Sequence, residues 1–120
     1  MTTLYSGKVV GITFSPAKEN VQALQVIMEN SDRDDAEVVA KLKAEPQNKF
    51  DNRAIAVLAG LRIPGESLES VNFMHVGHIP RTNTEPIHKA GVENVQVSVE
   101  QLKEYESKIA GIDIKVTSPG

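Results

Sequence analysis

A chain of 120 residues with no cysteine, no tryptophan and a formal charge of -3 is sized for one domain with its own apolar core, and it needs neither disulfide nor metal to hold that core. Without cysteine it excludes thiol catalysis, zinc-finger ligation and a disulfide scaffold, and it suits a reducing cytoplasm. The segment from Met1 to Val10 lacks a basic start followed by an apolar run, and no stretch approaches the roughly 18 apolar residues of a membrane span, so a cytoplasmic protein without membrane contact is expected.

In chain order, Thr3 to Phe14 reads as a strand, with Val9, Val10, Ile12 and Phe14 as strand formers and Gly7 and Gly11 as points of bulge or close backbone approach. Ser15 then offers a helix N-cap with Pro16 at the first helical position. Val21, Leu24, Ile27 and Met28 recur at helical spacing as far as Asn30. The acidic run Ser31 to Asp35 predicts an exposed loop and lacks the glycine and distal glutamate of a calcium loop. Glu37 to Ala44 alternates as a strand, stopped by Glu45-Pro46. After a polar turn over Asn48 to Arg53, the apolar run Ala54 to Ala59 predicts a buried strand, and Gly60 to Ser70 a flexible excursion. Val71 to Ile79 reads as a further strand ended by Pro80. Glu85 to Lys89 reads as a short helix ended by Gly91. Val95, Val97 and Val99 alternate with polar residues, as do Ile112, Ile114 and Val116, which predicts two half-buried strands; Gln101 to Gly111 fits a hairpin or a short helix equally. The expected fold is mainly β with α, a small, partly open antiparallel barrel of five or six strands with one longer and one short helix.

Charge is unevenly spread. From Lys41 to Arg53 four basic residues, Lys41, Lys43, Lys49 and Arg53, stand against Glu45 and Asp51, and from His75 to Lys89 the basic Arg81 and Lys89 stand against Glu85. Two locally basic segments on an otherwise acidic chain make an electropositive patch if they meet in space, or scattered solvated lysines if they do not.

The most informative stretch is Glu45-Pro46-Gln47-Asn48-Lys49-Phe50-Asp51-Asn52-Arg53-Ala54-Ile55-Ala56-Val57, which sets an aromatic ring beside a carboxylate at the head of a buried strand. Two readings stand side by side. In one, Asn48 and Asp51 bond the turn's own amides and Phe50 plugs the end of the barrel; in the other, the ring and the carboxylate face a ligand.

This stretch, with Val10-Gly11-Ile12-Thr13-Phe14 before it and Val76-Gly77-His78-Ile79-Pro80-Arg81 after it, resembles the HIRAN domain, whose pattern is acidic-Pro-x-Asn-Pro-Tyr-Asp-x-Asn-Ala-Ile-x-Val with a Val-Gly-His/Tyr-Leu/Ile segment downstream. The likeness covers Lys8 to Ala90 in the right order. It implies an OB-like or SH3-like barrel that binds DNA, found with fork-remodelling motors in repair proteins and standing alone in bacterial and phage proteins. In the best understood branch the domain holds the 3′ end of a single strand. By that resemblance Phe50 stacks on the terminal base, and Asp51 accepts a hydrogen bond from the 3′-hydroxyl. Thr13 and Phe14 lie beside the nucleotide, and His78 and Arg81 near the backbone; the charges of Lys43 and Lys49 suit phosphates. The chain departs from the pattern at Lys49 for proline, Arg53 for asparagine, Phe50 for tyrosine, and Thr13 where that branch has an arginine.

No cofactor and no catalytic residue is expected, because neither a phosphate-binding glycine loop nor a nucleophile elbow is present. A metal is not expected either, since His75 and His78, three apart on a strand, should face opposite sides of the sheet. The expected partner is single-stranded DNA or a DNA end. The alternative is a protein partner or a second copy of the chain received at an exposed edge strand such as Val95 to Val99.

Overall fold

Alternating apolar and polar side chains give strands with one face turned inward, and two such faces closing on each other make a core. The computed structural model of the chain describes residues 1–31 and 35–119. Its elements are β1 (Thr3–Lys8), α1 (Ala17–Glu29), β2 (Glu37–Ala44), β3 (Ile55–Arg62), β4 (Met74–His78), α2 (Glu85–Ala90), β5 (Gln96–Tyr105) and β6 (Lys108–Thr117). The strands form two antiparallel three-stranded sheets, ordered β1-β6-β5 and β2-β3-β4. This is the mainly β, barrel-like arrangement with one longer and one short helix that the sequence pattern predicts.

Both sheets enclose a single core. Ile55, Val57 and Ala59 of β3 and Val76 of β4 meet Ile112, Ile114 and Val116 of β6, with Val21 and Leu24 of α1 and Ile87 of α2 completing the interior. Each of these larger side chains contributes about 1.5–3 kcal/mol by leaving water. Helix α1 is tied to both sheets: the Asn20 amide donates to the His75 carbonyl at 2.8 Å, and the Ile109 N–H donates to Gln25 Oε1 at 2.9 Å.

One edge of the two sheets is sewn together at Val10, which exchanges backbone hydrogen bonds of 2.9 Å in both directions with His78. Gly77 permits that approach. Its φ is +154°, and a Cβ there would lie 2.5 Å from both the Val10 carbonyl oxygen and a Val9 methyl carbon. At the opposite edge β2 lies beside β5, which belongs to the other sheet, so the barrel stays open there.

Several boundaries differ from expectation. The first strand ends at Lys8 rather than Phe14, because the chain turns at Gly11, where φ is +82°. Helix α1 starts at Ala17, with Pro16 rather than Ser15 in the capping position; the Ser15 hydroxyl donates instead to Glu19 Oε1 at 2.5 Å. Strand β3 continues through Gly60, Leu61 and Arg62, residues assigned from sequence to a flexible excursion, because β2 is long enough to pair with them and Glu37 meets Arg62 at 3.5 Å. The ambiguous segment Gln101 to Gly111 is a hairpin. Of the expected acidic loop, 32–34 lie outside the described residues. Among the described residues no helix is long and apolar enough to cross a membrane.

Candidate functional site

The turn between β2 and β3 is built on Asn48. Its side-chain carbonyl accepts two successive backbone N–H groups, from Phe50 at 2.9 Å and Asp51 at 3.1 Å, while its amide nitrogen donates to Glu45 Oε1 at 3.3 Å. The Asp51 carboxylate takes the Arg53 N–H on Oδ1 at 2.9 Å, and the Glu45 N–H closes the base of the turn on the Ala54 carbonyl. This is the local side-chain-to-backbone bonding that makes Asn and Asp turn residues.

Phe50 does not plug the barrel. Its ring is 93% exposed at the tip of the turn, flanked by the exposed Lys49. The main-chain duties of Asn48 and Asp51 thus hold, whereas the core role for the ring does not; the core is already filled without it. Asp51 is not saturated by main-chain donors, because its second oxygen faces the Arg81 guanidinium at 3.9 Å. Arg81 itself is largely in solvent.

The turn is fastened to the rest of the molecule from both sides. His78 Nε2 donates to Glu45 Oε1 at 2.5 Å, Arg53 pairs with Glu85 of α2 at 2.6 Å, and His88 Nε2 donates to the Arg53 carbonyl at 2.8 Å. Burial raises the Glu45 carboxyl, but the hydrogen bonds from His78 and Asn48, with the nearby His78 and His75 charges, outweigh it and bring the group below its ordinary value. The Arg53 hydrogen bond and charge lower the Glu85 carboxyl.

His75 and His78 correct the sequence reading. In β4 the register slips between Val57 and Leu58 of β3, so that His75 opposes Leu58 and His78 opposes Ala56. The extra residue of this bulge, Val76, turns both imidazoles to the same side of the sheet, with ring centroids 4.9 Å apart in a T-shaped contact. Burial, followed by the neighbouring His78, lowers the His75 pKa against a small opposing pull from Glu45. Among the described residues no group of three or more His, Cys, Asp or Glu side chains is arranged to hold a metal ion.

Of the residues singled out in the sequence, Phe50, Asp51, Lys49, Arg81 and His78 gather around one turn, and Lys43 joins them through register, opposite Ala56, which in turn opposes His78. Thr13 and Phe14 do not bond to that turn. Phe14 is 74% exposed on the loop that leaves Val10 for α1, and Thr13 lines a separate groove of about 630 Å³ between α1 and the β5–β6 hairpin. Glu45, Arg53 and Glu85 were missed as supports; the acidic residue opening the Glu45-Pro46 motif was the available signal for the first, whereas the distant pairing of Arg53 with Glu85 had none. Val95, Val97 and Val99 are half-buried against the core, as their alternation predicts, and β5 is the last strand of its sheet. Compared with family models, curated proteins and solved structures, the chain matches none.

Proposed function

We propose that the chain is a DNA-binding module of HIRAN type that receives the free 3′-hydroxyl end of a single strand, with Phe50 stacked on the last base and Asp51 accepting the terminal hydroxyl. The observation that carries this reading is the almost complete exposure of the Phe50 ring on a turn whose hydrogen bonds hold it outward. A base stacked on such a ring gains about 1–3 kcal/mol whatever its identity. The carboxylate beside it supplies polarity, because a terminal phosphate is repelled by Asp51 where a hydroxyl donates to it. Arg81 and Lys49 are placed to pair with the phosphates that follow, so binding weakens as salt rises.

The test compares fluorescent oligothymidines ending in a 3′-hydroxyl or a 3′-phosphate. The free end is expected to bind several-fold tighter, and Asp51→Asn to remove the preference while the amide oxygen still serves the Arg53 N–H. Phe50→Ala should weaken both probes by about 1–3 kcal/mol with the melting temperature unchanged. Equal binding of the two probes by the unaltered protein would falsify the end-recognition mechanism.

A further inference from the structure

The bulge that turns His75 and His78 to one side also orders the rest of the outer face of β2-β3-β4. Lys43 opposes Ala56, which opposes His78; two residues along, Lys41 opposes Leu58, which opposes His75. Two rows therefore cross this face, each with a lysine on the edge strand, an apolar centre and an imidazole on the far strand. They lie about 7 Å apart along the strands. The first row adjoins the Phe50 turn, since β2 runs into that turn and His78 is bonded to Glu45. Beyond the second row the Lys41 ammonium sits 4.4 Å from the centre of the Phe73 ring, which fixes its position over the sheet.

Two carboxylates near this face are already engaged: Glu45 with His78, and Glu37 with Arg62 at the far end. Among the described residues no ion pair neutralises Lys41 or Lys43. The centre between them is low, because Ala56 is small and lies beneath its neighbours. A polyanion with regularly spaced charges complements such a face, and the exposed aromatic at its head favours one that carries bases.

We infer that this face is a track for the sugar-phosphate backbone of the same single strand, leading the nucleotides before the terminal one past Lys43 and then Lys41 toward Phe73. The occupant of the track rests on the function proposed above; the rows themselves do not. The track extends the site from an end pocket to a surface that measures length.

The experiment titrates oligothymidines of about three to twelve nucleotides, spanning the usual site sizes of small barrels, with free or phosphorylated 3′ ends, against the parent and the double variant Lys41→Gln/Lys43→Gln. Both lysines are exposed, and circular dichroism with a melting curve verifies that the variant folds. For the parent, affinity should climb with length and then level off. In the variant the climb should vanish and the salt slope fall by about 1.4, two single-strand phosphate contacts at about 0.7 each, while the preference for a free end persists. A variant that retains the parent's length dependence and salt slope overturns the track. Loss of end preference in the parent, with length dependence that still follows the two lysines, overturns the end pocket and supports the track. Absence of binding to every oligonucleotide overturns both, and if poly-glutamate then binds through the same lysines the face belongs to an acidic protein.

Discussion

The two sheets share strand number and sense, yet their outer faces are chemically unlike. On β1-β6-β5 the central strand brings polar residues outward: Asp113 lies between Gln101 and Lys8, Lys115 lies between Ser98 and Ser6, and Lys103 meets Asp113 at 3.4 Å. On β2-β3-β4 the central strand brings out Ala56 and Leu58, and the lysines stand on the edge strand without a carboxylate opposite them. The acids on this side stand at the two ends of β2, Glu37 paired with Arg62 and Glu45, just beyond the strand, bonded to His78. One face carries charge on its central strand, where Asp113 pairs with Lys103; the other has an apolar central strand and keeps its charge on the strands beside it.

The seam at Val10 and His78 holds the two faces in fixed relation, and breaking it should have the largest effect. Gly77→Ala places a methyl group 2.5 Å from the Val10 carbonyl, so about 3 kcal/mol of folding stability should be lost in urea titration, and both sheets should unfold in one transition. Unchanged stability would mean that the close approach of Val9 and Val10 to β4 is not needed.

Acid should act on one face before the other. The His75 pKa is lowered on folding, so the unfolded chain takes up this proton more readily, and stability falls as pH drops below about 6.5. Glu45 is also lowered; its contribution is present above the ordinary carboxylate value of about 4.3 and is lost as pH falls through its lower folded value. Amide protection, taken relative to the intrinsic exchange rate at each pH, should therefore fall in β4 before β6 between neutral and mildly acidic pH, and His75→Gln should flatten the upper part of that response. An equal loss of protection in both sheets would refute the assignment.

The smallest effect is expected at the Lys103–Asp113 pair. Lys103→Gln removes a solvated ion pair worth no more than about 1 kcal/mol, and the salt slope of DNA binding should stay that of the parent. A decrease matching that of the Lys41 and Lys43 substitutions would erase the distinction between the faces.

Much of this contrast was already legible in periodicity. The unbroken apolar run at Ala54 to Ala59 foretells a strand with little polar surface on either side, whereas Ile112, Ile114 and Val116 around Asp113 and Lys115 foretell one with a wet face. Two features escaped because the sequence carries no local mark of them. The β5–β6 turn has positive φ at Glu106 and Ser107, 51° and 66°, where Asn-Gly would have announced it, so the hairpin stayed ambiguous. The bulge at Val76 depends on how β4 docks against β3, and no spacing rule applied to β4 alone places His75 and His78 on one side. In the site, the duties of Asn48 and Asp51 followed from side-chain chemistry, but whether Phe50 turned in or out was decided by a core already complete.

One amide oxygen, that of Asn48, grips two consecutive amides and so shapes the loop from its base. The tip is thereby released from any architectural duty. The side chains of residues 49 and 50 stand exposed on a fixed mount, so exchanging Phe50 for tyrosine or tryptophan should leave the barrel beneath as it was.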